Sequence, residues 1–218
     1  MAQNALLHDR PPVATSWLLN GSRAIFALIG GLVITFTFSF SSVTLGLAVF
    51  ASYTVLFGIA TFIWFPKVDN RAVRNASIAI GAASILASII GFVMMAIHDA
   101  TVSHFLLLVT VWAAITGFAE LYLGFSKKGK FAEQRDWLFG GVMTCLLALA
   151  TLIIDPNYRQ DFVVPGKDEL PDYEGAVTGS LFGVGVFGVY LIVIGVFLFI
   201  GAYSLRTPQQ RIEGNSTS

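Results

Sequence analysis

Apolar residues run almost unbroken through six stretches of the chain, at about 20–40, 43–65, 75–97, 102–125, 137–154 and 178–205. As helices rising ~1.5 Å per residue, all six reach across ~30 Å of hydrocarbon, the fifth only just. None keeps the strict alternation of a barrel strand, and a lipid-exposed backbone must satisfy its own hydrogen bonds. The prolines punctuate this pattern. Pro11, Pro12, Pro66, Pro156, Pro165, Pro171 and Pro208 all fall outside the stretches or at their ends. The pattern predicts an all-α, polytopic integral membrane protein with six transmembrane helices.

The polar positions between the stretches give an orientation. With a cytoplasmic N-terminus, the inner side holds Arg10, Arg23, Lys67, Arg71, Arg74, Lys127, Lys128, Lys130, Arg135, Arg206 and Arg211, and the outer side only Arg159 and Lys167. That excess predicts a multi-pass protein of a cell membrane with both termini inside. Trp17, Trp64 and Trp137 then fall near the inner interface. Residues 1–16 read as a polar cytoplasmic N-terminus without the basic-then-apolar order of a cleaved leader. Residues 17–205 read as the membrane domain, and 206–218 as a disordered cytoplasmic tail. Two outer connections are tight turns. The third, about 155–177, is long and acidic, and is expected to be a partly ordered solvated cover or a partner or cation site.

The even stretches share a motif: Tyr53-x4-Gly58, Trp112-x4-Gly117 and Tyr190-x4-Gly195. Among the odd ones, Arg23 and Arg74 each stand seven residues before a glycine, and Arg135 lies shortly before Gly140 and Gly141. The chain thus reads as three tandem hairpins, about 20–65, 75–125 and 137–205, repeated about an axis along the membrane normal. Glycine lets helix backbones approach where lipid offers no hydrophobic drive. Gly58, Gly117, Gly195, Gly179 and Gly183 are the candidate packing residues. A second reading makes the run Gly179, Gly183, Gly185 and Gly188 a hinge or an ion path.

With the three Gly-centred even stretches, the run Trp137-Leu138-Phe139-Gly140-Gly141 and the closing Asp155-Pro156, the chain resembles the HdeD-like acid-resistance membrane proteins over residues 17–205. The resemblance implies a short six-helix protein of three hairpins with a part in surviving acid in a bacterial cytoplasmic membrane. It supplies no catalytic residues. Two departures stand out: only the third hairpin has proline at its outer turn, and its outer loop is longer than the family's.

Composition narrows the function. The 218 residues are 56% hydrophobic and 12% charged, with a formal net charge of zero. That balance argues against a nucleic-acid partner. The single cysteine, Cys145, excludes an intramolecular disulfide and a cysteine-based metal site. No nucleophile elbow, metalloprotease helix, P-loop or dinucleotide fingerprint occurs in a fitting context, so no enzyme and no cofactor are expected.

Two clusters remain. Glu120 lies roughly 10 Å along a helix from the inner lysines, and an ionised carboxylate there must be paired, protonated or hydrated. Arg23 stands at a comparable level on the first stretch. Glu120 either pairs with Arg23 as packing or interface chemistry, or titrates. At the second outer turn, His98, Asp99 and His104 form a candidate pH sensor, or simply polar interface residues, without a zinc-ligand spacing. The reading is a non-enzymatic protein of acid or envelope-stress tolerance, its partners the bilayer and either a second copy or another membrane protein. One alternative is a small proton or solute carrier or channel using Glu120. The other is a membrane-embedded assembly partner.

Overall fold

The apolar stretches of the sequence are helices. The computed structural model describes the backbone of residues 13–37, 42–64, 71–126, 134–165 and 173–216. These form α1 (Val13–Phe36), α2 (Val43–Trp64), α3 (Arg71–Ala96), α4 (Val102–Ser126), α5 (Gln134–Ile153) and α6 (Gly179–Ser216), with strands β1 (Arg159–Val164) and β2 (Tyr173–Thr178) between the last two helices. Helices α2 to α6 each carry an apolar segment of 18 to 26 residues, long enough to cross a bilayer. The apolar part of α1 is shorter, Asn20–Phe36. The chain is a multi-pass membrane protein. Its outward-facing side chains are apolar along the helices, among them Ile29, Leu86, Ile115, Leu149 and Val189.

The helices pack as a closed ring in chain order, with α6 returning to α1. The broadest contacts join α1 to α6, α2 to α3 and α4 to α5, while the consecutive pairs α1–α2, α3–α4 and α5–α6 touch less. Helices α2, α4 and α6 also meet one another, so they line the axis of the ring. Their rings fill that axis. Phe50 packs edge-on to Trp112 and Phe187 with centroids 5.5 and 5.6 Å apart, and Phe105 packs edge-on to Phe187 at 6.3 Å. Edge-to-face packing of this kind adds specificity to the dispersion energy that must hold a bundle in lipid.

Tyrosine or tryptophan and glycine stand five residues apart in the shared motif, about 140° around a helix, so they face different neighbours. The aromatic ring turns to the axis and the glycine to the adjacent outer helix. A Cβ on Gly58 would lie 2.7 Å from Ile85 Cγ1, one on Gly117 3.0 Å from the Cys145 nitrogen, and one on Gly195 3.1 Å from the Leu28 nitrogen. The spacing echo of the odd helices does not describe how they meet. Gly195 packs at Leu28, two residues before Gly30, whereas Gly58 packs at Ile85, four residues after Gly81. Gly30 and Gly81, and with them Arg23 and Arg74, therefore hold different places in the ring.

Two regions are more regular than the sequence predicts. In the connection between α5 and α6, expected as a partly ordered cover, the chain forms an antiparallel hairpin, with Arg159 opposite Thr178 and Val164 opposite Tyr173. Its β-branched and aromatic residues, Phe162, Val163, Val164, Tyr173, Val177 and Thr178, favour strands. The tail expected to be disordered continues α6 as far as Ser216; Gln209, Gln210, Arg211 and Glu213 are good helix formers. The N-terminal segment 1–12 and Lys67, Lys127, Lys128 and Lys130, on which the predicted orientation partly rests, lie outside the described residues.

Candidate functional site

The axis changes character toward the end that holds Arg23 and Glu120. Arg23 points inward from α1 and Glu120 from α4, and their side chains meet with Nη2 2.8 Å from Oε1. Both are buried, at 7% and 2% exposure, so the pair is shielded from lipid and water alike. These helices are not neighbours in the ring, so the ion pair ties opposite sides of it. The guanidinium also lies over the Phe57 ring of α2, 4.3 Å from its centroid, and 5.9 Å from the Trp137 ring of α5. Contact with ring π faces returns about 0.5–2 kcal/mol, a part of what a buried cation loses in hydration.

Hydroxyls surround the carboxylate. Thr144 of α5 stands 3.5 Å from Glu120 Oε2, donates to the Gly140 carbonyl at 2.8 Å and lies 3.0 Å from the Tyr190 hydroxyl of α6. A hydroxyl has one proton, so with that proton on Gly140, Tyr190 donates to Thr144. The Tyr190 hydroxyl also meets that of Tyr53 on α2. Gly140 makes room for the site: a Cβ there would stand 3.1 Å from Glu120 Oε2. At the same end, Asn20 of α1 reaches Asp136 of α5, with Nδ2 3.3 Å from Oδ2. Among the described residues, Arg23 Nε is the one buried side-chain polar atom without a hydrogen-bond partner.

Most other intramembrane hydroxyls are spent on the backbone. Thr54, Thr61, Ser84, Thr116 and Thr151 each donate to the carbonyl four residues earlier. Ser88 bonds across helices to the Ala51 carbonyl at 2.8 Å, and Trp112 donates to Ser84 at 3.0 Å. The first five are satisfied within their own helices, and the bonds of Ser88 and Ser84 fasten neighbouring helices together.

The other candidate positions separate. His104 Nδ1 lies 3.4 Å from the Asp99 carboxylate and 3.1 Å from the Asp99 carbonyl. His98 is exposed and holds a left-handed backbone, φ 56°, as the residue that ends α3. Its amide bonds the Met95 carbonyl at 3.2 Å and the Asp99 amide bonds Met94 at 3.0 Å, the pairing of a Schellman cap. Gly183 packs against Leu106 on α4, but Gly179 meets the carbonyls of Asp155 and Pro156 in the turn after α5, not another helix. Gly188 accommodates Ile34 of α1. Among the described residues no three His, Cys, Asp or Glu side chains gather as a metal site.

Sequence reasoning alone did not single out Asn20, Asp136, Thr144, Tyr53 and Tyr190 as companions of the ion pair. The signal for two of them was present: Tyr53 and Tyr190 head the repeated motif, and the motif's geometry sends them to the axis. No known protein family, curated protein or solved structure matches this chain.

Proposed function

We propose that the chain is a non-enzymatic, six-span membrane protein of three tandem hairpins, similar to the HdeD-like proteins, that contributes to acid or envelope-stress tolerance with both termini cytoplasmic. The repeat is supported by equivalent contacts. Gly58, Gly117 and Gly195 cross Ile85, Cys145 and Leu28 in the same manner. One step further out, Ala51 meets Gly91, Thr110 meets Thr151 and Gly188 meets Ile34. On that alignment, Arg23 corresponds to Ile80 and Gly140, and Glu120 to Thr61 and Leu198.

The observation that carries the functional reading is this break in the repeat. One sector alone places an ionised pair where the others have apolar or neutral residues, and the pair spans the ring. A carboxylate held by one guanidinium loses its hold when it takes up a proton. The pair is therefore an acid-responsive tie. The test is survival of an acid-sensitive bacterial host after acid challenge, with wild type and Glu120→Gln expressed at equal levels. Protection by wild type that Glu120→Gln removes supports the reading, and equal survival with and without the wild-type protein overturns it.

A proton carrier is the second reading, and the hydroxyls of Thr144, Tyr190 and Tyr53 beside Glu120 favour it, because Thr144 links to Glu120 by turning its proton from the Gly140 carbonyl to the carboxylate. Proton flux into liposomes under an imposed pH gradient checks it. Flux abolished by Glu120→Gln supports a carrier; flux no greater than in empty liposomes rejects one.

A further inference from the structure

The Arg23 guanidinium has two carboxylates within its electrostatic reach, Glu120 and Asp136. One cation cannot neutralise both. Asn20 and Arg23 are three residues apart on α1, hence on one face, and Asn20 already touches Asp136 at 3.3 Å. Asp136 therefore lies about one helical turn along α1 from the base of the Arg23 side chain, on the same side. Trp137, the residue after Asp136, has its ring 5.9 Å from the guanidinium carbon. Gly201 of α6 leaves Asp136 space, since a Cβ there would stand 3.2 Å from Oδ2. Arg23 Nε has no partner in the seat the side chain occupies now, so that seat leaves one of its N–H groups unused.

We infer that Asp136 is a second seat for the Arg23 guanidinium, and that neutralising Glu120 sends the guanidinium from α4 to α5. The long, flexible arginine side chain lets the charge move by about one turn while α1 stays in place. The cross-ring tie between α1 and α4 then opens, and a tie between α1 and α5, already begun by Asn20, closes. Asp136, half-buried at the helix end, sits closer to water than Glu120 does. The groups facing the pair are Tyr53 from α2, Tyr190 from α6, and Cys145 and Asp136 from α5. Among the described residues none of these supplies a second cation, so Glu120 and Asp136 share the one guanidinium that faces both. The switch deepens the acid-responsive tie and rests on that reading for its trigger only.

The test is a double-mutant cycle on the purified full chain in detergent, read as the folded-to-unfolded ratio at neutral pH. Glu120→Gln alone and Asp136→Asn alone fold, because each leaves Arg23 one carboxylate. The double variant leaves it none, and its ratio falls at least roughly tenfold below the product of the single effects, or the protein is not recovered folded. Additive effects overturn the second seat, as does failure of Glu120→Gln alone to fold. Asp136→Glu in the Glu120→Gln background avoids the loss that Asp136→Asn brings there, because it keeps a carboxylate. An experimental structure of the Glu120→Gln variant gives an independent reading: the guanidinium within hydrogen-bond distance of Asp136 supports the switch, and the guanidinium still against the substituted amide overturns it. Neither experiment reads acid survival or flux, so the switch and the proposed function fail separately.

Discussion

The two halves of the ring's axis are held by different physics. In one, Phe50, Phe105, Trp112 and Phe187 interlock edge to face. In the other, a single ion pair spans the ring, backed by hydroxyls. Ring packing is a sum of many small attractions and weakens in proportion to what is removed. A buried charge pair behaves otherwise: deleting one partner strands the other in a medium that cannot solvate it. The aromatic half thus responds to change by degrees, and the charged half depends on both partners together.

The largest effect that tests this contrast is Arg23→Met. It keeps an apolar side chain of similar length and leaves Glu120 without its cation, at a cost of about 3–5 kcal/mol in denaturant unfolding of detergent-solubilised protein at neutral pH. The loss shrinks in acid, where a proton neutralises the stranded carboxylate. Adding Glu120→Leu to Arg23→Met recovers most of the stability, since a buried pair replaced by apolar residues is often neutral. A double variant as unstable as the single one would mean the pair contributes net stability, not merely complementarity.

Next is the aromatic half. Phe187→Ala removes a fully buried ring that contacts Phe50, Phe105, Tyr53 and Tyr190. The expected cost is about 2–3 kcal/mol, below that of a soluble core because lipid is as apolar as the interior and only packing is lost. That loss should not change with pH. A pH-dependent loss would mean that the two halves are coupled and the contrast is false. Trp112→Phe is milder. It keeps a ring at the axis but loses the bond to Ser84, for about 1 kcal/mol by the same unfolding measurement.

The spans and the axial residues were readable for a physical reason. Bilayer thickness fixes helix length, and the five-residue offset of Tyr53 from Gly58 fixes which sides of the helix they face. The neighbours were harder. Nothing in a single sequence says that α1 closes on α6, and that closure brings Asn20 to Asp136 across 116 positions. The odd-helix echo misled because an arginine seven residues before a glycine recurs by composition, whereas the Gly195–Leu28 crossing requires the ring to be closed first. The β1–β2 hairpin was hidden by the charges and prolines of its loop, which masked two six-residue strands.

The smallest effect concerns a residue outside both halves, and it separates an imidazole's chemistry from its backbone. His98 holds φ 56° at the Schellman cap of α3, where a side chain costs about 1 kcal/mol and glycine nothing. Its ring is exposed, and the turn's imidazole–carboxylate contact belongs to His104 and Asp99. His98→Gly should therefore stabilise the protein by about 0.5–1 kcal/mol in the same unfolding assay, at neutral pH and in acid alike. A gain at both pH values assigns the position to the turn. A gain at neutral pH that vanishes in acid would show the imidazole holding the turn, and would bring His98 into the proposed acid response.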